Sequence, residues 1–167
     1  MLRCATHIRL PTRAAKNLSH LPQCKFYLNS QVKKIPTKIF VSGKYYDKSL
    51  VEKKIKNLRS LGHEITYDWT TKADIKEPRL LAREAVLAVA AIKESDVHVL
   101  IMTDKKYSYR GCFAELGCSI TLGKEILVYC KPGKSSFTTS PFFNHPLVHR
   151  FNSWRKLLRA IDVASKI

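Results

Sequence analysis

The sequence predicts an α/β protein built on a doubly wound, parallel five-stranded sheet. Three observations carry this. Short apolar runs alternate with amphipathic stretches of about 10–15 residues, the rhythm of strands joined by helical crossovers. Turn residues fall between the runs, as in Ser42-Gly43 and Leu61-Gly62. The 167 residues suffice for one full core plus a tail.

Each element has its own signature. Lys38 to Ser42 is a strand that ends in the Ser42-Gly43 turn. Leu50, Val51, Ile55, Leu58 and Leu61 recur at helical spacing, and Gly62 stands where a left-handed residue would stop the helix. Glu64 to Trp69 reads as a second strand, followed by a polar connection over 72–78. Leu81, Ala85, Ala88, Val89 and Ile92 stripe a second helix. Asp96 opens a third strand, Val97 to Met102, and Gly111 to Leu122 is a third helix. Glu125 to Cys130 is a fourth strand. A Pro- and Ser-rich loop over 131–145 leads to a short fifth strand near Leu147 to Phe151, and Trp154, Leu157, Leu158 and Ile161 mark a last helix. Right-handed crossovers then give a three-layer α/β/α arrangement, flavodoxin-like and Rossmann-like, with strand order 2-1-3-4-5.

Composition narrows the function. No apolar run reaches the ~18–20 residues that cross a bilayer, so no membrane partner is expected. The five cysteines include no C-x-x-C pair and no His cluster accompanies them; neither a metal site nor a cofactor is expected. Their odd number fits reduced thiols in an intracellular compartment. A net charge of +17 suits an anionic partner, although general lysine enrichment on a solvated surface gives the same number.

The chain divides into a basic tail, residues 1–36, and a domain, 37–167. No acidic residue precedes Asp47. A basic, acid-free start interspersed with Ser and Thr is the pattern of a mitochondrial or plastid transit peptide; a disordered arm or an upstream start codon reads the same, and the compartment is otherwise cytoplasmic. Nucleic acid could meet this tail but is not the favoured partner. Without the tail the remainder keeps a charge of +10.

In a sheet of this order, ligands bind outside the carboxyl ends of the first and third strands. Two loops converge there. The first, Ser42-Gly43-Lys44-Tyr45-Tyr46-Asp47, offers N–H groups, a hydroxyl, an ammonium and two phenols, and could hold a phosphate. It is neither a P-loop nor a dinucleotide fingerprint. The second runs from Thr103 to Arg110 and carries Glu115 behind it, in Arg110-Gly111-Cys112-Phe113-Ala114-Glu115-Leu116-Gly117-Cys118. Tyr45, Tyr46 and Trp69 could stack on a base or simply edge the core. The helix dipole and Arg110 are expected to keep Glu115 ionised. The dipole would also lower the Cys112 thiol.

The frame of Ser42-Gly43, Tyr67-Asp68-Trp69-Thr70, Ser95-Asp96-Val97, Gly111-Cys112-Phe113-Ala114-Glu115-Leu116-Gly117 and Leu122-Gly123-Lys124 resembles the nucleoside 2-deoxyribosyltransferase superfamily, which includes the 2'-deoxynucleoside 5'-phosphate N-hydrolases. The resemblance covers about residues 37–162. It implies a homodimer or larger assembly in which 131–145 could act on a neighbour's pocket. It also implies Glu115 as the nucleophile on C1' of a deoxyribose, through a covalent glycosyl ester resolved by water or by a second base. Ser42, Gly43, Lys44, Tyr45, Tyr46, Trp69, Arg110 and Gly111 would then bind substrate. Charge and Lys44 favour 5'-monophosphates and hydrolysis.

The sequence departs from that family at two places. Ala88 stands where members often carry an Asp that serves the leaving base, and Tyr109 stands where transferases often carry another. Asp104, Asp47, Tyr109 or Tyr45 could substitute. The alternative is a nucleotide-binding module of the same fold with little turnover.

Overall fold

The structure is a computed structural model that describes residues 36–130 and 138–164. The tail, apart from Pro36, and most of the 131–145 loop's first half lie outside the described residues. Strands β1 (Lys38–Gly43), β2 (Glu64–Tyr67), β3 (Val97–Met102), β4 (Glu125–Cys130) and β5 (Val148–Phe151) alternate with helices α1 (Lys48–Ser60), α2 (Pro78–Glu94), α3 (Arg110–Thr121) and α4 (Trp154–Ala164). The sheet order is β2-β1-β3-β4-β5, and every pairing is parallel. The predicted class and order both hold.

Strand periodicity sorts the core into two layers. Val97, Val99 and Ile101 of β3 join Ile39, Val41 and Leu127 against Val51, Ile55 and Leu58 of α1 and Leu157 and Ile161 of α4. On the opposite face, Leu100, Met102, Ile126 and Val128 pack against Cys112 and Leu116 of α3. Phe40 packs there against Ala91 and Ile92 of α2. The central strand β3 is buried along its whole length, as a strand covered on both faces must be. Gly62 (φ +86°) and Gly123 (φ +65°) end α1 and α3 in the left-handed region.

Two elements differ from the sequence expectation. The second strand stops at Tyr67, because the Asp68 side chain accepts from Thr70 N–H and Oγ1 and turns Trp69–Thr71 into a single 3-10 turn. Helix α2 starts earlier, with Pro78 at its first position, where a missing N–H costs nothing. Its apolar stripe is buried only at its end. Ala91 and Ile92 are in the core, whereas Leu81 and Val89 stay about half exposed (49% and 52%). The first turns of α2 stand off the sheet and leave space above β1. Among the described residues no helix is long and apolar enough to cross a membrane.

Gly43 ends β1 at the point where α1 crosses it. A Cβ built there would lie 2.6 Å from Val51 Cγ2. Val51 is fully buried and β-branched, so its side chain has little room to turn away. Gly43→Ala should therefore cost about 1–3 kcal/mol. It should lower the urea midpoint at unchanged slope. An unchanged midpoint would mean that α1 yields without cost.

Candidate active site

The space under α2 is a cavity of about 440 Å³ at the carboxyl ends of β1 and β3. That volume suits a nucleoside-sized ligand. Among the sequence candidates, Gly43, Tyr45, Trp69, Tyr109, Gly111 and Glu115 line it. Ser42 lies beneath, buried, and reaches the site through Glu115. Lys44, Tyr46, Asp104 and Arg110 are not part of the lining. Tyr46 is 81% exposed, and Arg110 also points to solvent.

Glu115 is set by three elements. Helix α3 carries it inward, β1 supplies the Ser42 hydroxyl that donates to Oε2 at 2.5 Å, and the strands packed behind it take it out of water. Desolvation raises its pKa from 4.5 to about 7, with the Ser42 bond opposing the rise. The expectation of a carboxylate kept ionised by the dipole and Arg110 is therefore corrected. Arg110 and Glu115 are five positions apart, which puts them on different faces of the helix. Cys112 is corrected as well. Burial and the nearby Glu115 push its thiol up, and its Sγ lies 3.5 Å from the Gly43 carbonyl oxygen.

The second loop is held by Asp104. Its carboxylate accepts from Lys44 Nζ at 2.7 Å, which holds Asp104 below the usual carboxylate range and Lys44 above its own. Its backbone N–H donates to Tyr109 Oη at 2.9 Å. Tyr109 precedes α3 in the left-handed region (φ +49°) with its ring buried. Such a backbone costs of order 1 kcal/mol or more for a non-glycine residue. The ring is fixed edge-on to Tyr107, centroids 4.8 Å apart. The Tyr109 side chain makes no capping hydrogen bond to the start of α3.

On the cavity wall nearer β2, Trp69 donates Nε1–H to the Val41 carbonyl at 2.9 Å, and the Tyr45 ring stacks alongside it at 6.2 Å. Between β2 and α2 lies a cluster that sequence reasoning missed. Lys72 Nζ donates to both oxygens of Glu84, at 2.8 and 2.9 Å, and to Tyr67 Oη at 2.8 Å. The Tyr67 hydroxyl also donates to Glu84. All three line the cavity, as does Ala88. Glu84 is one helical turn before Ala88, on the same face of α2. That spacing was the available signal. Among the described residues, no group of three or more His, Cys, Asp or Glu side chains could hold a metal ion.

Burial of Glu115 has a consequence for stability. Between its ordinary 4.5 and its raised value of about 7, the folded chain holds a proton that the unfolded chain has released. Stability should therefore fall as pH rises across that window and level off above it, by on the order of 3 kcal/mol. Urea midpoints at about pH 4.5 and pH 8 should differ less in Glu115→Gln than in the wild type. Equal differences would show that the buried carboxylate ionises as it would in water.

No protein-family model and no curated protein matches the sequence. Solved structures do match. The 2-deoxyribosyltransferase of Bacillus psychrosaccharolyticus is 20% identical over 72% of this chain and 89% of that one, with a TM-score of 0.55. The 2-deoxyribosyltransferase of Leishmania mexicana is 15% identical over 77% of this chain and 98% of that one, with a TM-score of 0.54. The CMP N-glycosidase BcmB of Clostridium botulinum is 19% identical over 75% and 98%, with a TM-score of 0.48. The resemblance read from the sequence thus extends to three dimensions: the chain has the fold of the nucleoside 2-deoxyribosyltransferases.

Proposed function

We propose that the chain cleaves the bond between base and deoxyribose in a nucleoside 5'-monophosphate, with Glu115 as nucleophile and water as final acceptor. The observation that carries this is a desolvated carboxylate lining a nucleoside-sized cavity, one oxygen held by a buried hydroxyl. In its ionised form such a carboxylate is poorly solvated and strongly attracted to an oxocarbenium-like centre. A Glu115 oxygen bonds to C1' as the C1'–N bond breaks, and the electron pair leaves with the base. Water then attacks the ester and returns Glu115 as a carboxylate.

The leaving base needs a proton or a hydrogen bond at the nitrogen it departs on. Asp104 is ionised against Lys44 and has no proton to give. Its role is to hold that lysine and, through its N–H, Tyr109. Tyr67 and Lys72, both bonded to Glu84, carry protons at the cavity wall. We assign them, with Tyr109, to the base end, in place of the acid that Ala88 cannot supply. We assign the 5'-phosphate to the start of α3, where Gly111 leaves the backbone open and Arg110 is exposed. Lys44 would join it by exchanging Asp104 for phosphate.

The exposed residues Leu80, Leu81, Val86 and Val89 of α2 are 43%, 49%, 69% and 52% accessible. Val86 and Val89, three positions apart, share one face of α2, and that face is proposed to pair with a second copy. Val86→Glu together with Val89→Glu should convert a dimer to a monomer by light scattering; a wild type that is already monomeric would refute the pairing.

Base release from a panel of deoxynucleosides and their 5'-monophosphates tests the reaction. Release should rise with pH through about 7, as Glu115 ionises. It should drop by about 10³-fold or more in Glu115→Ala. Arg110→Ala should raise KM about tenfold for monophosphates alone. Binding without release from any member of the panel would make the chain a nucleotide-binding module instead.

A further inference from the structure

Behind Glu115, away from the cavity, runs a closed chain of buried polar groups. His98 lies on β3 on the same face as the core residues Leu100 and Met102. It is fully buried, and burial drives its pKa down to about 3, so the imidazole is neutral. Its Nε2 lies 2.7 Å from Ser42 Oγ and its Nδ1 lies 2.6 Å from Ser119 Oγ. Ser42 Oγ meets Glu115 Oε2 at 2.5 Å, and Ser119 Oγ meets the main-chain oxygen of Glu115 at 2.9 Å. The chain starts and ends on Glu115.

With Oε2 as the oxygen that takes up the proton, counting gives two arrangements. Each serine has one hydroxyl proton, and a neutral imidazole has one N–H. When Glu115 is ionised, Ser42 donates to Oε2 and must accept from His98. The ring proton is then on Nε2, and Ser119 turns its hydroxyl to Nδ1. When Glu115 is protonated, it donates to Ser42 Oγ and Ser42 donates to Nε2. The ring proton is then on Nδ1 and goes to Ser119, whose own hydroxyl goes to the Glu115 carbonyl. The two states differ by one proton in total, and the ring proton stands on opposite nitrogens in the two. The protonated state makes all four bonds. The ionised state makes three, because the single Ser119 proton cannot serve both His98 and the carbonyl.

Little else near the chain can compete. The cross-strand neighbours of His98 are Phe40 on β1 and Ile126 on β4, both apolar and buried. From α3 the ionisable groups are Glu115 itself and the thiols of Cys112 and Cys118. From α2, Ala88, Ala91 and Ile92 pack about Phe40. The other charges that line the cavity, Glu84 and Lys72, are bonded to one another and to Tyr67.

We propose that His98 is a positioning residue for Glu115, its tautomer coupled through Ser42 to whether Glu115 carries a proton. The Nε2–H form locks the Ser42 hydroxyl onto Oε2 when the carboxylate is ionised, which fixes the side chain and leaves the second oxygen for attack. That catalytic consequence rests on the function proposed above. The coupling itself rests only on the four contacts.

The test is long-range ¹⁵N–¹H correlation on the full chain labelled with ¹⁵N-histidine, with His98 assigned through its backbone. Wild-type His98 should pass from Nδ1–H at about pH 5.5 to Nε2–H at about pH 8.5, with one midpoint near that of Glu115. In Glu115→Gln and in Ser42→Ala the tautomer should not change with pH. A single tautomer throughout in the wild type, an imidazolium, or a transition that survives in Glu115→Gln would overturn the coupling. Base release is measured on the same samples. A tautomer switch without release refutes the glycosidase reading and leaves the coupling standing; release without a switch does the reverse.

Discussion

The hydrogen bond from Ser42 to Glu115 ties the last turn of the first strand to the helix that follows the third. Both ends depend on burial. Ser42 is inside because β1 is central in the sheet, and Glu115 is half-buried because α3 packs Leu116 and Cys112 onto β3 and β4. Without a donor, a carboxylate in that place would remain protonated over most of the physiological range. With one, it titrates near neutrality. The site therefore requires the sheet order, since only β1 beside β3 brings residue 42 within reach of residue 115.

The same order explains why so much of the fold was legible in the sequence. Strands buried on both faces leave continuous apolar runs, and β3 is one from Val97 to Met102 except at His98. Once the order is known, the switch point names the pocket, and Glu115, Ser42, Gly43 and Trp69 follow from topology. Burial was less legible. The sequence places Glu115 near a helix start and next to an arginine, and both suggest an ionised group. What decides the balance is how far α3 packs Glu115 in against β1 and β3, which no local pattern encodes. Likewise a histidine inside an apolar run reads as a packing exception until Ser42 and Ser119 are found at its two nitrogens.

Helix α2 shows the limit most clearly. Its stripe of Leu81, Ala85, Ala88 and Val89 has the spacing of a core-facing helix, and only the last turn goes to the core. The upper turns face a cavity, and a cavity wall needs the same residue types as a core. The small residues Ala85 and Ala88 leave room, and Glu84 comes in at the edge of that room with Lys72 as its counter-ion. An alanine at 88 is thus part of the cavity's shape and not simply a missing acid.

The charges of the pocket follow one rule. The lysines arrive paired, Lys72 with Glu84 in the lining at 2.8 Å and Lys44 with Asp104 outside it at 2.7 Å. Glu115 alone is served by neutral donors: a serine, and behind it an uncharged histidine. On the proposed reaction this separation has a physical reason. A lysine beside the nucleophile would hold it ionised but would also repel the positive charge that develops at C1', in a medium where the screening of water is absent. A hydroxyl steadies the carboxylate without opposing that charge. The price is a raised pKa, and a basic domain surface can still draw in an anionic substrate from a distance without placing a cation at the reacting bond.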